Sequence, residues 1–221
     1  MRYFLPAVLF AAFAAVIMIS PQVEPRRRRV RAARVEADLR AHHGFGTGSH
    51  ASWAETRASG WPPFHYGKHR SLDGELLGEI DGLPVRVAGY ECVLAGSRHR
   101  YGLACVVLPH PVDWAEVRGE PVFSAARVPE HIPDGIRTGA IPEFDRAYQI
   151  YAEESDAVLT VASRATAEAM LRVPERFSWR TLNREALLWK RDGWASAESL
   201  IAAVRAVLEI LDPAISADRG Y

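Results

Sequence analysis

The chain has 221 residues, with 27 basic and 27 acidic side chains and 48% hydrophobic residues. That balance excludes a strongly basic nucleic-acid binder and a disordered polymer, and the length suits one domain of ordinary size. Two cysteines, Cys92 and Cys105, are too few for a disulfide framework or a cysteine zinc site.

Charge is distributed unevenly. Residues 1–50 hold eight arginines and three acids, so the remainder is net acidic, which argues against nucleic acid as a partner. The run from Tyr3 to Val23 has no charged residue. As a helix it spans roughly 30 Å, the hydrocarbon thickness of a bilayer, and predicts a transmembrane anchor within residues 1–25. A secretory signal peptide is the competing reading, but its apolar stretch is shorter and its basic residues come first. Here Arg26, Arg27, Arg28 and Arg29 follow the run. Basic flanks stay in the cytoplasm, which predicts a single-pass cell-membrane protein with its C-terminal domain cytoplasmic. The same arginines face anionic lipid headgroups, each contributing about 1 kcal/mol. The alternative is a secreted domain with a mature terminus near Pro21.

Residues 26–51 then read as a basic juxtamembrane segment followed by a glycine-rich linker, His42 to Ser49. The folded domain is expected over 52–214, with a tail at 215–221. Ser52 and Glu55 form a capping-box pattern for a short helix over Trp53 to Ser59. Glu75 to Ile80 is a short strand, closed by the turn signal Asp81-Gly82. Val85 to Leu94 and Arg100 to Leu108 read as a hairpin, with Val112 to Val117 beside it. Residues 119–146 are rich in proline and glycine and read as loop with a turn near Phe144, and Tyr148 to Ala152 as a strand. Ser155 caps a helical region reaching Arg172, with a second start at Ser163. Phe177 to Leu182 and Glu185 to Arg191 read as a hairpin around Asn183-Arg184, pairing Trp179 with Trp189. Ser196 caps a final helix with an apolar face at Leu200, Ile201, Val204, Val207, Leu208 and Leu211, stopped by Asp212-Pro213. The expected class is α+β: a twisted antiparallel sheet with helices packed on one face, behind an N-terminal transmembrane helix.

Three short motifs carry a resemblance: Ser97-Arg98-His99-Arg100-Tyr101 leading to Leu108-Pro109; Thr138-Gly139 with Glu143-Phe144-Asp145-Arg146-Ala147-Tyr148; and Phe177 to Leu211. With these the chain resembles an uncharacterised family of actinobacterial single-pass membrane-anchored proteins with a C-terminal α+β domain. The resemblance implies fold and topology; it lends no activity and no site residue.

Candidate chemistry is sparse. The sequence has no nucleophile elbow, zinc-protease helix, phosphate loop or paired-cysteine motif. A hairpin centred between Arg98 and His99 would place Cys92 opposite Cys105, but free cysteine usually packs as a small hydrophobe. His99 falls at a hairpin rim. His42, His43 and His50 lie in the glycine segment, and His65 and His69 follow Pro62-Pro63 in extended chain, so neither set reads as a metal site. Glu143 and Asp145 are an acid–base pair if both share a strand face, but Asp145 as a loop anchor beside a buried Phe144 is favoured. No catalytic, cofactor-binding or metal-binding residue is assigned, and no cofactor. The sequence therefore favours a membrane-anchored binding or interaction module with a protein partner over a membrane-tethered, hydrolase-like enzyme.

Overall fold

A computed structural model describes residues 26–49, 53, 56, 63–64, 67–119, 135–152 and 161–216, with backbone alone at 213–216. The predicted span, the Ser52–Glu55 capping box and residues 217–221 lie outside the described residues. Among those described, no helix is long and apolar enough to cross a membrane.

Residues 26–42 form helix α1. Then come β1 (Gly46–Thr47), β2 (Lys68–Ile80), β3 (Leu83–Leu94) and β4 (Ser97–Arg118). Helix α2 (Pro142–Ala147) leads into β5 (Gln149–Ala152), followed by α3 (Arg164–Arg172), β6 (Ser178–Arg191) and α4 (Ala197–Ser216). The class is α+β. The six strands form one antiparallel sheet in the order β1-β2-β3-β4-β5, with β6 along the other side of β4.

The two early hairpins close through Asp81-Gly82 and Ala95-Gly96. All four residues have positive φ, the signature of two-residue turns whose twist matches the flanking strands. The second turn sets Cys92 opposite His99 and Cys105 opposite Arg86. The expected centre between Arg98 and His99 is therefore displaced toward Gly96. The cysteines face one another nowhere; their registers are six residues apart, about 20 Å along the strand. Both are buried and free.

Bulges decide which face each strand buries. In β2 a register shift between Asp73 and Leu76 inserts Gly74, with φ at 60°. Leu72 consequently packs on one face of the sheet and Leu76 with Ile80 on the other. In β4 the ladder to β6 is irregular between Val107 and Ala115, where Pro109 and Pro111 lack donors. Opposite this stretch Asn183 has φ at 54°. The turn residue expected to close a hairpin instead bends one continuous strand. Trp179 and Trp189 therefore lie on a single strand and on opposite faces, in separate core clusters.

The larger core gathers α1, α2, α3 and α4 on one face through residues such as Leu39, Phe144, Met170, Leu200 and Val204. Helix α1 contributes Val35 and Leu39, and Phe45 follows it into the same core. Residues 26–49 thus pack into the domain, where the sequence suggests a juxtamembrane segment and linker. The opposite face holds Trp53, Phe64, Tyr90, Tyr101 and Trp189. Helix α4 starts as expected, with Ser196 Oγ accepting from Ser199 N at 3.1 Å, but continues past Pro213 to Ser216. Proline near a helix end removes one bond and does not force a stop.

Candidate functional site

The site is a cleft between α1 and the sheet. Ala32, Val35, Glu36 and Leu39 repeat at helical spacing and form one wall. Leu76 of β2 and Val87 of β3 form the apolar floor. The cavity there has a volume of about 60 Å³ and is partly open to solvent. The cavity is therefore small.

Its far end is a notch in the sheet. Gly89 of β3 and Gly102 of β4 are direct register partners. A Cβ at Gly89 would overlap the Asp73 carboxylate, and one at Gly102 would stand 2.7 Å from Trp194 Cδ1 and 3.0 Å from Trp194 Nε1. The missing side chains let an ion pair and an indole lie on the sheet. Arg100 Nη2 donates to Asp73 Oδ2 at 2.9 Å and Oδ1 at 3.1 Å. Trp194 is 3% exposed, and its Nε1 has no hydrogen-bond acceptor among the described residues. The β2 bulge at Gly74 brings the strand beneath Glu36, whose Oε2 would be 3.2 Å from a Cβ there. The sequence reading missed this site. The signal available was the 32/35/36/39 stripe in a segment whose arginines suggest a solvated arm.

The expected candidates fall elsewhere. Asp145 accepts from Thr138 N at 2.9 Å, Thr138 Oγ1 at 3.0 Å and Gly139 N at 3.0 Å. Burial pushes its carboxyl up, but these bonds outweigh that and hold it below the usual range. Phe144 is buried beneath, as the loop-anchor reading expects. Both acids sit on α2, not on a strand, and Glu143 lines a separate open groove with Arg146 and Glu175. The acid–base pair does not assemble. His99 is half-buried on β4, and burial with the nearby Arg191 lowers its pKa. It lines neither the cleft nor that groove.

Cys105 packs beside a partly buried cluster on the second face. Arg86 ion-pairs with Glu185, reaches Cys105 Sγ at 3.0 Å and Thr56 Oγ1 at 3.2 Å, and lies over the Trp53 ring at 5.3 Å. Burial, offset only in part by Arg86, pushes the Cys105 thiol up to about 11. A thiol so protonated is a poor nucleophile. His50 and His65 lie outside the described residues, and His69 is in β2. His43 comes together with Asp38 and Glu198, their ligand atoms within 4.8 Å of one another. Glu198 is already engaged by Ser196, which with His43 and His42 holds its carboxyl low. The three residues meet where the end of α1 lies beside the start of α4. Of the basic quartet, Arg28 Nη1 pairs with Asp192 at 2.7 Å, while Arg26, Arg27 and Arg29 are exposed.

Fold and cleft define an α+β domain in which an N-terminal helix closes a small apolar cavity on an antiparallel sheet. The same fold occurs in the crystal structure of the mycobacterial trehalose monomycolate transport factor A, TtfA, with a TM-score of 0.55 and 14% sequence identity. The match covers 81% of this chain and 92% of that one. No protein-family model matches the chain, and no curated protein matches its sequence. The neighbour is an actinobacterial protein, in keeping with the resemblance noted from the sequence.

Proposed function

We propose that the chain is a non-enzymatic accessory factor in the transport of envelope lipids. In this reading residues 3–23 anchor it in the cell membrane, Arg26, Arg27 and Arg29 meet anionic headgroups, and the α+β domain works on the cytoplasmic side, binding a lipid or a protein partner. The observation that carries the reading is the fold shared with a trehalose monomycolate transport factor over most of both chains. The dispersal of Glu143, Asp145 and His99 away from a common cavity supports binding over hydrolysis.

The test is depletion of the chain in its native host, followed by pulse-labelling of acylated envelope lipids. Newly made lipid is expected to accumulate in the inner membrane while total synthesis holds steady. Unchanged distribution after full depletion would remove the transport role.

A further inference from the structure

We infer that Asp38, His43 and Glu198, joined by His42, form a binding site for one divalent transition-metal ion of the zinc type, which fastens the end of α1 to the start of α4. The inference does not depend on the transport reading.

The backbone brings these residues together for local reasons. Gly44, with φ at 70°, ends α1, and Phe45 N donates to Leu39 O at 3.2 Å across it. This closure is a common helix ending, and it sends Phe45 into the core while His43 stays on the last turn. Asp38 stands about one turn earlier on the same helix. Glu198 lies in the first turn of α4, whose start the Ser196 cap fixes. Leu39 and Leu200 seat the two helices in one core. The four side chains therefore project from rigid elements, as a metal site requires.

Their spacing suits a shared ion. The ligand atoms of Asp38, His43 and Glu198 all lie within 4.8 Å of one another. His42 Nε2 is 3.7 Å from Asp38 Oδ1, beyond a hydrogen bond. Around a tetrahedral zinc ion, with bonds of about 2.0–2.2 Å, neighbouring ligand atoms stand about 3.4 Å apart. Closing on an ion thus asks for about 1–1.5 Å of movement, within the reach of rotating side chains at the surface.

Charge and donor type narrow the ion. Two carboxylates bring two negative charges, and two neutral imidazoles add nitrogen donors, so the set balances a divalent cation. Ser196 engages the Glu198 carboxylate, which keeps further lone pairs for a metal. Magnesium and calcium take oxygen ligands, whereas imidazole suits zinc, nickel and copper. From the sequence the histidines fall in a glycine segment; in the structure α1 runs through residue 42 and supplies the acidic partner one turn back. Arg28 already pairs with Asp192 near the other end of α1, so an ion here pins the helix at both ends.

The experiment uses the untagged full chain in lipid nanodiscs, stripped with a chelator and titrated with zinc by calorimetry. One equivalent should bind, and the melting temperature should rise by about 5 °C or more at a hundredfold excess over Kd. Magnesium and calcium should do neither. Glu198→Gln and His43→Asn should each weaken zinc at least about tenfold, since losing even an outer partner of a ligand costs about 10–100-fold. Zinc X-ray absorption on the unaltered chain reads the ligands without any variant: nitrogen and oxygen at about 2.0–2.2 Å are expected, and sulfur at about 2.3 Å would overturn the site. So would absence of stoichiometric binding, or affinity unchanged in both variants. Binding lost in His43→Asn but intact in Glu198→Gln would also overturn it, because the ion would then sit on α1 alone.

Discussion

Gly89 and Gly102 stand opposite each other in β3 and β4, and the space above each is already occupied, by the Asp73 carboxylate and by the Trp194 indole. The two positions differ in what can yield. Asp73 is half-exposed at the tip of its side chain, whereas Trp194 is packed in the larger core. Gly102→Ala should therefore destabilise the domain by about 1–3 kcal/mol, the usual cost of overpacking, and Gly89→Ala by clearly less. Urea denaturation of the two variants checks the ranking, and equal losses would refute it.

Leu39 is fully buried against the sheet. Leu39→Ala should cost about 2–5 kcal/mol, the range for a core leucine. If residues 26–42 were a detached juxtamembrane arm, the same substitution would leave the melting temperature unchanged.

Asp145 ties Thr138 and Gly139 to α2, and its carboxyl lies below the usual range. A depressed folded value means that the unfolded state binds the proton more readily. The stabilisation is thus fully present above about pH 4, the unfolded carboxylate value, and is lost as pH falls through the lower folded value. Asp145→Asn should lower stability at pH 7 by about 1 kcal/mol and flatten the acid limb of the stability curve. An unaltered acid limb would show that the loop anchors elsewhere.

Both cysteines are buried, and the Cys105 thiol is raised to about 11. Neither should react with a maleimide in the native protein, and no Cys92–Cys105 disulfide should form under oxidation. Sidedness consequently needs an introduced reporter. A cysteine at Leu171, 38% exposed, should stay unlabelled by an impermeant reagent in intact cells if the domain is cytoplasmic. Labelling without lysis would place it outside.

What was legible in the sequence follows a pattern. The turn at Asp81-Gly82, the caps at Ser163 and Ser196 and the stripe of α4 are local signals, and the structure uses them all. The buried Phe144 and the anchoring role of Asp145 were legible for the same reason. The failures are non-local. Asn183-Arg184 has hairpin chemistry, but β4 offers a proline-broken edge that accepts the bend as a bulge. The facing of Cys92 and Cys105 was lost by a small error in the turn centre. The cleft was hidden because its glycines sit on separate strands and its wall on a helix whose arginines dominate the pattern.

The most direct measurement of the central claim is the flux of newly acylated lipid out of the inner membrane in a host depleted of this chain and then resupplied with it. The account predicts that flux falls on depletion with synthesis constant, that the full chain restores it, and that a chain lacking residues 1–25 does not. A flux indifferent to depletion, or a fall in synthesis matching the fall in flux, would contradict it.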